Sequence, residues 1–184
     1  MSPEQADPEK ADPGQVEEQF GEPPAHTFDE ARFKDVLGHF PTGVTIVTAL
    51  EEGVPVGFTC QTFSSLSLEP PMVALAPAKS STSWPRIARA GAFCVNILGS
   101  DQEELCRSFA VSGGDKFRGV AWRKGTLGTP VIDGALAWVE CRLDTIHDAG
   151  DHELVTGSVV AMSARSGDPL VYYRSRFGRF EALP

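Results

Sequence analysis

Residues 57–71, with the sequence GFTCQTFSSLSLEPP, constrain the fold of this chain more than any other stretch. The stretch begins with the apolar pattern of a strand, then loses side-chain bulk to threonine and serine, and ends at Pro70 and Pro71. Such a strand lets a ligand approach the backbone, whose N–H and C=O groups can bind the polar edge of a flat ring. The pattern is equally typical of a Ser/Thr-rich loop in an ordinary sheet, and the residues alone leave both interpretations open.

Short β-rich runs recur along the chain, with few helical patterns between them. Three helices are predicted: one that the capping box 27–30 begins and Pro41 stops, a short one that ends near Gly91, and one that the capping box 100–103 begins and that ends near Ala110. Many short strands and few helices favour a closed antiparallel barrel over a doubly wound sheet. The predicted strands are 44–50, 54–60, 72–76, 92–98, 136–146, 152–162 and 170–173.

The length and composition of the chain indicate one domain preceded by a tail. The chain has 184 residues, and an apolar fraction of 41% is adequate for a globular core. Residues 1–25 are rich in Pro, Glu, Asp and Gln, and they offer too little apolar surface to offset their ordering entropy. We therefore expect a flexible N-terminal arm over residues 1–25 and a domain over residues 26–184.

The charge and hydropathy of the chain exclude some classes of partner. The formal net charge of −9, without any basic run, argues against a nucleic-acid-binding surface. An acidic chain can still bind a nucleotide, because a few amides and cations at one site suffice. No apolar run is long enough to span a membrane, and the N-terminus lacks a signal-peptide pattern. We expect a soluble, cytoplasmic protein with no membrane partner.

Several common kinds of catalytic site find no support in the sequence. The four cysteines form no C-x-x-C pair and are predicted to be free, mostly buried thiols, although Cys60 lies inside the 57–71 stretch. His147 and His152, with Asp148 and Asp151 between them, match no standard metal-ligand spacing, so we predict no metal site. No G-x-S-x-G elbow or paired catalytic carboxylates are present.

The sequence AKSSTSWP, residues 78–85, precedes the second predicted helix. Hydroxyls and amides before a helix can bind a phosphate, and Lys79 adds positive charge. Simple helix capping by Ser or Thr is the alternative. The stretch is neither a Walker loop nor a G-x-G-x-x-G turn, so it does not imply a Rossmann domain.

The 57–71 stretch resembles the signature of the flavin reductase-like family, small FMN-binding split barrels whose members read like G-x-T-x-N-S-F-x-S-x-S-x-x-P-P. Gln61 and Thr62 stand where the family commonly has Asn and Ser, and both keep a hydrogen-bonding side chain. The matching residues are Gly57, Thr59, Phe63, Ser65, Ser67, Pro70 and Pro71. The resemblance covers about residues 28–180, and it continues through Phe40-Pro41-Thr42-Gly43-Val44, Ser80-Ser81-Thr82, Gly114-Asp115-Lys116-Phe117, Gly150-Asp151-His152 and residues 170–173.

The resemblance implies a fold and a set of binding residues. The implied fold is mainly β, an FMN-binding split β-barrel that is antiparallel and Greek-key-like, with a few peripheral helices. Thr59, Cys60 and Gln61 would line the edge of the isoalloxazine ring, and Ser64 and Ser65 would hold the ring or the ribityl chain. The residues implied for the phosphate or the dinucleotide are Lys79, Ser80, Ser81, Thr82, Arg107, Lys116, Tyr173 and Arg176. For Arg107 and Lys116, ordinary surface charge is the alternative.

His152 is the residue that the resemblance places beside the nicotinamide. It lies in the Gly150-Asp151-His152 motif, and its implied role is orientation and electrostatics rather than proton transfer. The alternative is a histidine that simply begins a strand.

The implied function is an NAD(P)H:flavin oxidoreductase, a homodimer that reduces FAD or FMN with NADH and supplies free reduced flavin to a partner monooxygenase. Hydride transfer is chemistry of the cofactors themselves, so the protein needs backbone amides and small polar groups more than a general base. A flavin-binding protein without efficient turnover and a one-component flavoenzyme with its own substrate are the alternatives. FAD or FMN, and NADH or NADPH, remain open choices.

Overall fold

A computed structural model describes residues 29–183 of the chain. The chain divides into two compact units, Met1–Val36 and Leu37–Pro184, which are described separately. Helix α1 (Glu30–Leu37) begins in the first unit, where Asp29 Oδ1 accepts a hydrogen bond of 3.1 Å from the backbone N–H of Arg32. Asp29 therefore caps this helix. The predicted arm (1–25) and Thr27, the first residue of the predicted capping box, lie outside the described residues.

The second unit is built on a seven-stranded antiparallel sheet with the order β3-β2-β6-β9-β10-β5-β4. Its strands are β2 (Thr45–Glu51), β3 (Val54–Cys60), β4 (Ser64–Leu68), β5 (Pro71–Leu75), β6 (Ala92–Ile97), β9 (Ala137–Ala149) and β10 (His152–Ala164). Two helices, α2 (Trp84–Ala90) and α3 (Glu103–Ala110), flank β6 along the chain. The second unit also contains two smaller antiparallel sheets. The first consists of β1 (Thr42–Gly43), β11 (Leu170–Tyr173) and β12 (Arg176–Arg179), and the second consists of β7 (Trp122–Lys124) and β8 (Pro130–Ile132).

The strand order and the chain connections together require the large sheet to curl. β3 and β4 stand at opposite ends of the sheet, yet only residues 61–63 connect them. In a flat sheet, six inter-strand gaps of about 4.8 Å would separate these strands by about 29 Å. The chain from Cys60 to Ser64 can span only roughly 14 Å. The sheet therefore rolls into a barrel, and residues 61–63 bridge its two end strands. The mainly β, antiparallel fold class predicted from the sequence is confirmed.

Strand β2 is buried on both faces and separates two hydrophobic clusters. Consecutive residues point to opposite sides of a strand, so Val47 joins the first cluster while Ile46 joins the second. The first cluster contains Trp84 and Phe93 and packs α2 against the sheet. The second contains Phe109 and packs α3 against it. Strand β3 contributes Val56 and Phe58 to the first cluster and packs Gly57 against Phe109 of α3, so it is held from both sides.

The long elements agree with the sequence-based predictions, whereas several local features differ. Five strands, β1, β4, β7, β8 and β12, were not predicted, because four of them have only two to four residues and β4 is a polar edge strand. The predicted strands 136–146 and 152–162 made residues 147–151 the turn between them, which was wrong: β9 continues to Ala149, and Gly150 and Asp151 alone turn the chain. The capping box predicted at 100–103 was also wrong, since α3 begins at Glu103 and Gln102 Oε1 instead accepts a hydrogen bond from the backbone N–H of Gly99.

No helix of the described chain combines the length and the apolar composition that crossing a membrane would require.

Candidate functional site

A cleft of about 370 Å³ opens where the C-terminal end of β3 meets the loops before α2 and after α3. Most of its lining residues are small or polar, and none of the described residues in it is an aspartate or a glutamate. The sequence-predicted site residues that meet in this cleft are Thr59, Cys60, Gln61, Ser80, Ser81, Thr82, Lys116 and His152. Segments far apart in the sequence therefore form one site.

One wall of the cleft is the bridge between β3 and β4. Thr62 Oγ1 donates to Ala76 O (3.0 Å) and accepts from Ala76 N–H (2.9 Å), which ties the bridge to the end of β5. Cys60 Sγ lies 3.3 Å from Thr62 Oγ1, and burial raises the pKa of the Cys60 thiol. A raised pKa favours the neutral thiol, so Cys60 lines the cleft as a small apolar group.

The opposite wall is the C-terminal end of α3 with the loop that follows it. Thr59 Oγ1 donates to the carbonyl of Cys106 (2.7 Å), which fixes α3 against β3. Lys116 Nζ donates to the carbonyl oxygens of Gly57 (3.2 Å) and Phe109 (3.0 Å) and to Ser83 Oγ (3.4 Å). Burial lowers the pKa of Lys116. Among the described residues that line the cleft, Lys116 is the only lysine or arginine.

The hydroxyl residues at the rim of the cleft lie directly before α2. Ser81 Oγ accepts a hydrogen bond of 3.1 Å from the backbone N–H of Trp84. A hydroxyl that accepts in this way keeps its own O–H to donate, so Ser81 can still bind an anionic oxygen. Ser80 and Thr82 are exposed beside it. Ser81 can therefore cap α2 and bind a phosphate at the same time.

His152 reaches the cleft from the first position of β10, next to the two-residue turn. Its Nδ1 lies 2.7 Å from Asp151 Oδ1, and this contact lowers the pKa of the Asp151 carboxyl. An ionised carboxylate can only accept a hydrogen bond, so Nδ1 is the nitrogen that donates to Asp151, and in the neutral form of the ring Nε2 is an acceptor. The ring is thus held in one tautomer, with its side chain 41% exposed.

Six of the predicted binding residues lie outside the cleft lining. Ser64 and Ser65 are exposed on the edge strand β4. Lys79 Nζ lies 2.5 Å from Asp148 Oδ2, and Lys79 lowers the pKa of that carboxyl. Arg107 pairs with Glu103 in the same helix, and its guanidinium lies 4.8 Å from the ring centroid of Phe177. Tyr173 and Arg176 line a separate groove along the β11–β12 hairpin.

The structure also brings residues to the cleft that the sequence analysis did not select. Thr62 was identifiable in principle, because it stands inside the 57–71 motif. Phe109, Ala110 and Ser112 line the cleft from the end of α3, and no sequence signal distinguishes them from ordinary helix-end residues. Within the described residues, no group of three His, Cys, Asp or Glu side chains is placed to hold a metal ion, and the four cysteines are free and buried.

The cleft offers the groups that a flavin phosphate and a polar ring edge require. Hydroxyls from Ser80, Ser81 and Thr82 and the ammonium of Lys116 suit an anionic group, and the absence of a carboxylate among the described lining residues avoids repulsion. No pair of groups arranged for general acid and base catalysis lines the described part of the cleft. The residues present therefore fit a cofactor that brings its own chemistry.

Comparisons with known proteins agree with this geometry. A family model described as "Flavin reductase like domain" matches residues 37–181. The reductase subunit HsaB of a flavin-dependent monooxygenase from Rhodococcus jostii is 46% identical over 158 residues, which cover 85% of this chain and 81% of that protein. The FMN reductase (NADH) SmoA of Agrobacterium fabrum is 43% identical over 148 residues, which cover 80% of this chain and 84% of that protein.

A solved structure extends the similarity to the fold. The NADH:FAD oxidoreductase SgcE6 of Streptomyces globisporus C-1027, in complex with NAD and FAD fragments, superposes with a TM-score of 0.79 at 34% identity. The match covers 83% of this chain and 93% of that chain. The family model and these relatives span almost the whole described region, and the chain therefore belongs to the flavin reductase-like family.

Proposed function

We propose that this protein is an NADH-dependent flavin reductase that reduces FMN or FAD and releases reduced flavin to a partner monooxygenase. One observation supports the proposal most strongly: a single cleft brings together the strand end Thr59–Gln61, the hydroxyl loop 80–82, Lys116 and His152. The names of the relatives, a monooxygenase reductase subunit and an FMN reductase (NADH), point in the same direction. A cytoplasmic location, where NADH is available, is part of the proposal.

The residues of the cleft have distinct proposed roles. Bound NADH and flavin would supply the hydride donor and acceptor, while the protein holds the two rings together and excludes water. The backbone and side chains of Thr59, Cys60 and Gln61 would contact the edge of the flavin ring. The hydroxyls of the 80–82 loop and the Lys116 ammonium would bind the phosphate. His152 Nε2, an acceptor, would bind the amide N–H₂ of the nicotinamide and so orient its ring.

We expect Lys116→Met to weaken FMN binding more than riboflavin binding. The variant removes the only lysine or arginine among the described cleft-lining residues, and riboflavin lacks the phosphate. Loss of one charge-assisted hydrogen bond should raise the Kd for FMN about tenfold, as measured by flavin fluorescence quenching. Lys124→Met, on β7 outside the cleft, is the control. Equal weakening of FMN and riboflavin would show that Lys116 acts only on the protein structure.

The same residue predicts a pH dependence of FMN binding. Burial lowers the pKa of Lys116, so its ammonium loses the proton at a lower pH than an ordinary lysine does. The wild-type Kd for FMN should therefore rise as the pH is raised through this lowered pKa. The Kd of the methionine variant should stay constant across the same range.

A homodimer completes the proposal. Strand β4, at the edge of the sheet, exposes Leu66 (53%) and Leu68 (92%), and β10 exposes Met162 (71%). Exposed apolar side chains on an edge strand favour association with another chain. We expect the wild-type protein to have the mass of a dimer in light scattering and Leu68→Glu to shift it towards the monomer. A monomeric wild-type protein would contradict this part of the proposal.

Steady-state NADH oxidation tests the reductase activity. We expect turnover that depends on added flavin and saturates with FMN, FAD or riboflavin, and the preferred flavin is the one with the highest kcat/KM. A protein that binds flavin but supports no NADH oxidation would instead be a flavin-binding protein. Tight copurification of flavin, with turnover only on a separate substrate, would favour a one-component flavoenzyme.

A further inference from the structure

The turn that carries His152 is attached to the hydroxyl loop by a series of contacts. The backbone N–H of Lys79 donates to Asp151 O, and the N–H of Glu153 donates to Pro77 O, both at 3.0 Å. A bridge also joins Ala78 and His152. These backbone bonds hold the two segments side by side, but they leave the tilt of the His152 side chain to the side chains around it.

One side-chain hydrogen bond involves Glu153, the residue next to His152 in β10. The indole Nε1–H of Trp84 donates to Glu153 Oε2 at 2.5 Å. Trp84 is 3% exposed and packs in the first hydrophobic cluster, so its N–H is buried and needs this acceptor. A carboxylate is a strong acceptor for such a donor.

The position of Glu153 separates it from the ligand side of the cleft. His152 and Glu153 are consecutive in β10, and consecutive strand residues point to opposite faces. His152 lines the cleft, whereas Glu153 and Trp84 are absent from its described lining. Glu153 therefore lies outside the described lining of the cleft, and an effect of Glu153 on the cleft would pass through its neighbours.

Trp84 is hydrogen-bonded both to the hydroxyl loop and to the strand that carries His152. Its backbone N–H donates to Ser81 Oγ at 3.1 Å, on the phosphate side, while its indole binds the residue beside His152. We infer that Glu153 is a positioning residue, which, through its hydrogen bond to Trp84, fixes the β10 strand end so that the His152 ring faces the nicotinamide. This inference depends on the function proposed above, because it assigns the nicotinamide to His152.

The first experiment measures the KM for NADH and the KM for flavin in three variants. Glu153→Ala removes the acceptor and should raise the KM for NADH about tenfold while the KM for flavin changes less than about twofold, since the Ser81–Trp84 bond uses a backbone N–H and persists. Glu153→Gln keeps an acceptor oxygen at the same distance and should restore the KM for NADH to within about twofold of wild type. Trp84→Phe removes the donor and should reproduce the alanine effect.

The matched control is Glu51→Ala. Glu51 also binds α2, because its carboxylate accepts from Arg86 and Arg89, but it lies in β2 away from His152. If loosening α2 were the cause, Glu51→Ala would raise the KM for NADH as much as Glu153→Ala does. We expect it to leave this KM within about twofold of wild type.

A second readout does not require activity. In the ligand-free protein, the NMR signals of the His152 ring should shift in Glu153→Ala and Trp84→Phe and stay unchanged in Glu153→Gln and Glu51→Ala.

The inference is overturned if the His152 signals do not move, if Glu153→Gln fails to restore the wild-type KM for NADH, or if the KM for NADH and the KM for flavin rise together. If wild-type protein oxidises no NADH with any flavin, the proposed function fails, and the NMR comparison still decides whether Glu153 positions His152. Should Glu153→Ala not fold, Trp84→Phe breaks the same hydrogen bond with an aromatic ring retained.

Discussion

Replacing Glu140 with alanine should lower the free energy of unfolding by about 3 kcal/mol or more, because it removes the acceptor for several buried donors. Glu140 is fully buried. Its carboxylate accepts from the backbone N–H groups of Thr126 (2.6 Å) and Leu127 (3.0 Å) and from Thr129 Oγ1 (2.6 Å). Urea denaturation measures the effect. Glu140→Gln keeps one acceptor oxygen and should lose less stability than the alanine variant.

A second substitution tests the buried Glu140 carboxylate by crowding it instead of removing it. A Cβ atom at Gly125 would lie 2.3 Å from Glu140 Cδ, and the carboxylate cannot move away without breaking its three hydrogen bonds. Gly125→Ala should therefore destabilise the protein, whereas Gly43→Ala, where a Cβ would meet nothing within 4 Å, should change stability by less than about 0.5 kcal/mol. A loss below about 1 kcal/mol for both Glu140→Ala and Gly125→Ala would contradict the structural role of Glu140.

His152→Ala should lower kcat/KM for NADH by up to about tenfold and leave the KM for flavin within about twofold of wild type. The variant removes the Nε2 acceptor proposed for the nicotinamide amide, and a hydrogen bond between two neutral groups contributes about 0.5–1.5 kcal/mol, a factor of up to about ten. Steady-state kinetics with NADH and flavin varied in turn separate the two effects.

The matched control for this prediction is His147→Ala. His147 lies on the same hairpin, opposite Leu154, and does not line the described cleft. It should retain the wild-type kcat/KM for NADH. If His152→Ala weakened flavin binding as much as it weakened the use of NADH, His152 would contact the flavin and not the nicotinamide.

The fold was predictable where the sequence has long periodic patterns. Strand β3 and the alternation of Val139, Cys141 and Leu143 in β9 follow from period-two hydrophobicity. The sequence Glu51-Glu52-Gly53 predicts a short hairpin between β2 and β3, and in the structure Glu51 ends β2 while Glu52 and Gly53 form the turn in left-handed conformations, at φ 49 and φ 84. The serine-rich strand β4 was not predicted, because it has only two apolar residues, Leu66 and Leu68, and its Ser-Ser-Leu-Ser-Leu sequence is too short and polar to distinguish a strand from a loop.

The site was predictable where residues lie in contiguous motifs, and less so where tertiary contacts decide a side chain's partner. Cys60, Ser81 and His152 meet in one cleft, as motif-based reasoning expected. The partner of Lys79 could not be read from its loop, because Asp148 reaches it from a hairpin 69 residues further along the chain. The Trp84–Glu153 bond has the same sequence separation and was equally invisible.

Anaerobic mixing of the protein with excess FMN or FAD and a limiting amount of NADH decides whether this protein is a flavin reductase. We predict that a catalytic amount of protein bleaches the flavin absorbance, with one flavin reduced for each NADH consumed, and that the reduced flavin passes through a membrane that retains the protein. If the flavin stayed oxidised while bound to the protein, with NADH unconsumed, the protein would not be a flavin reductase.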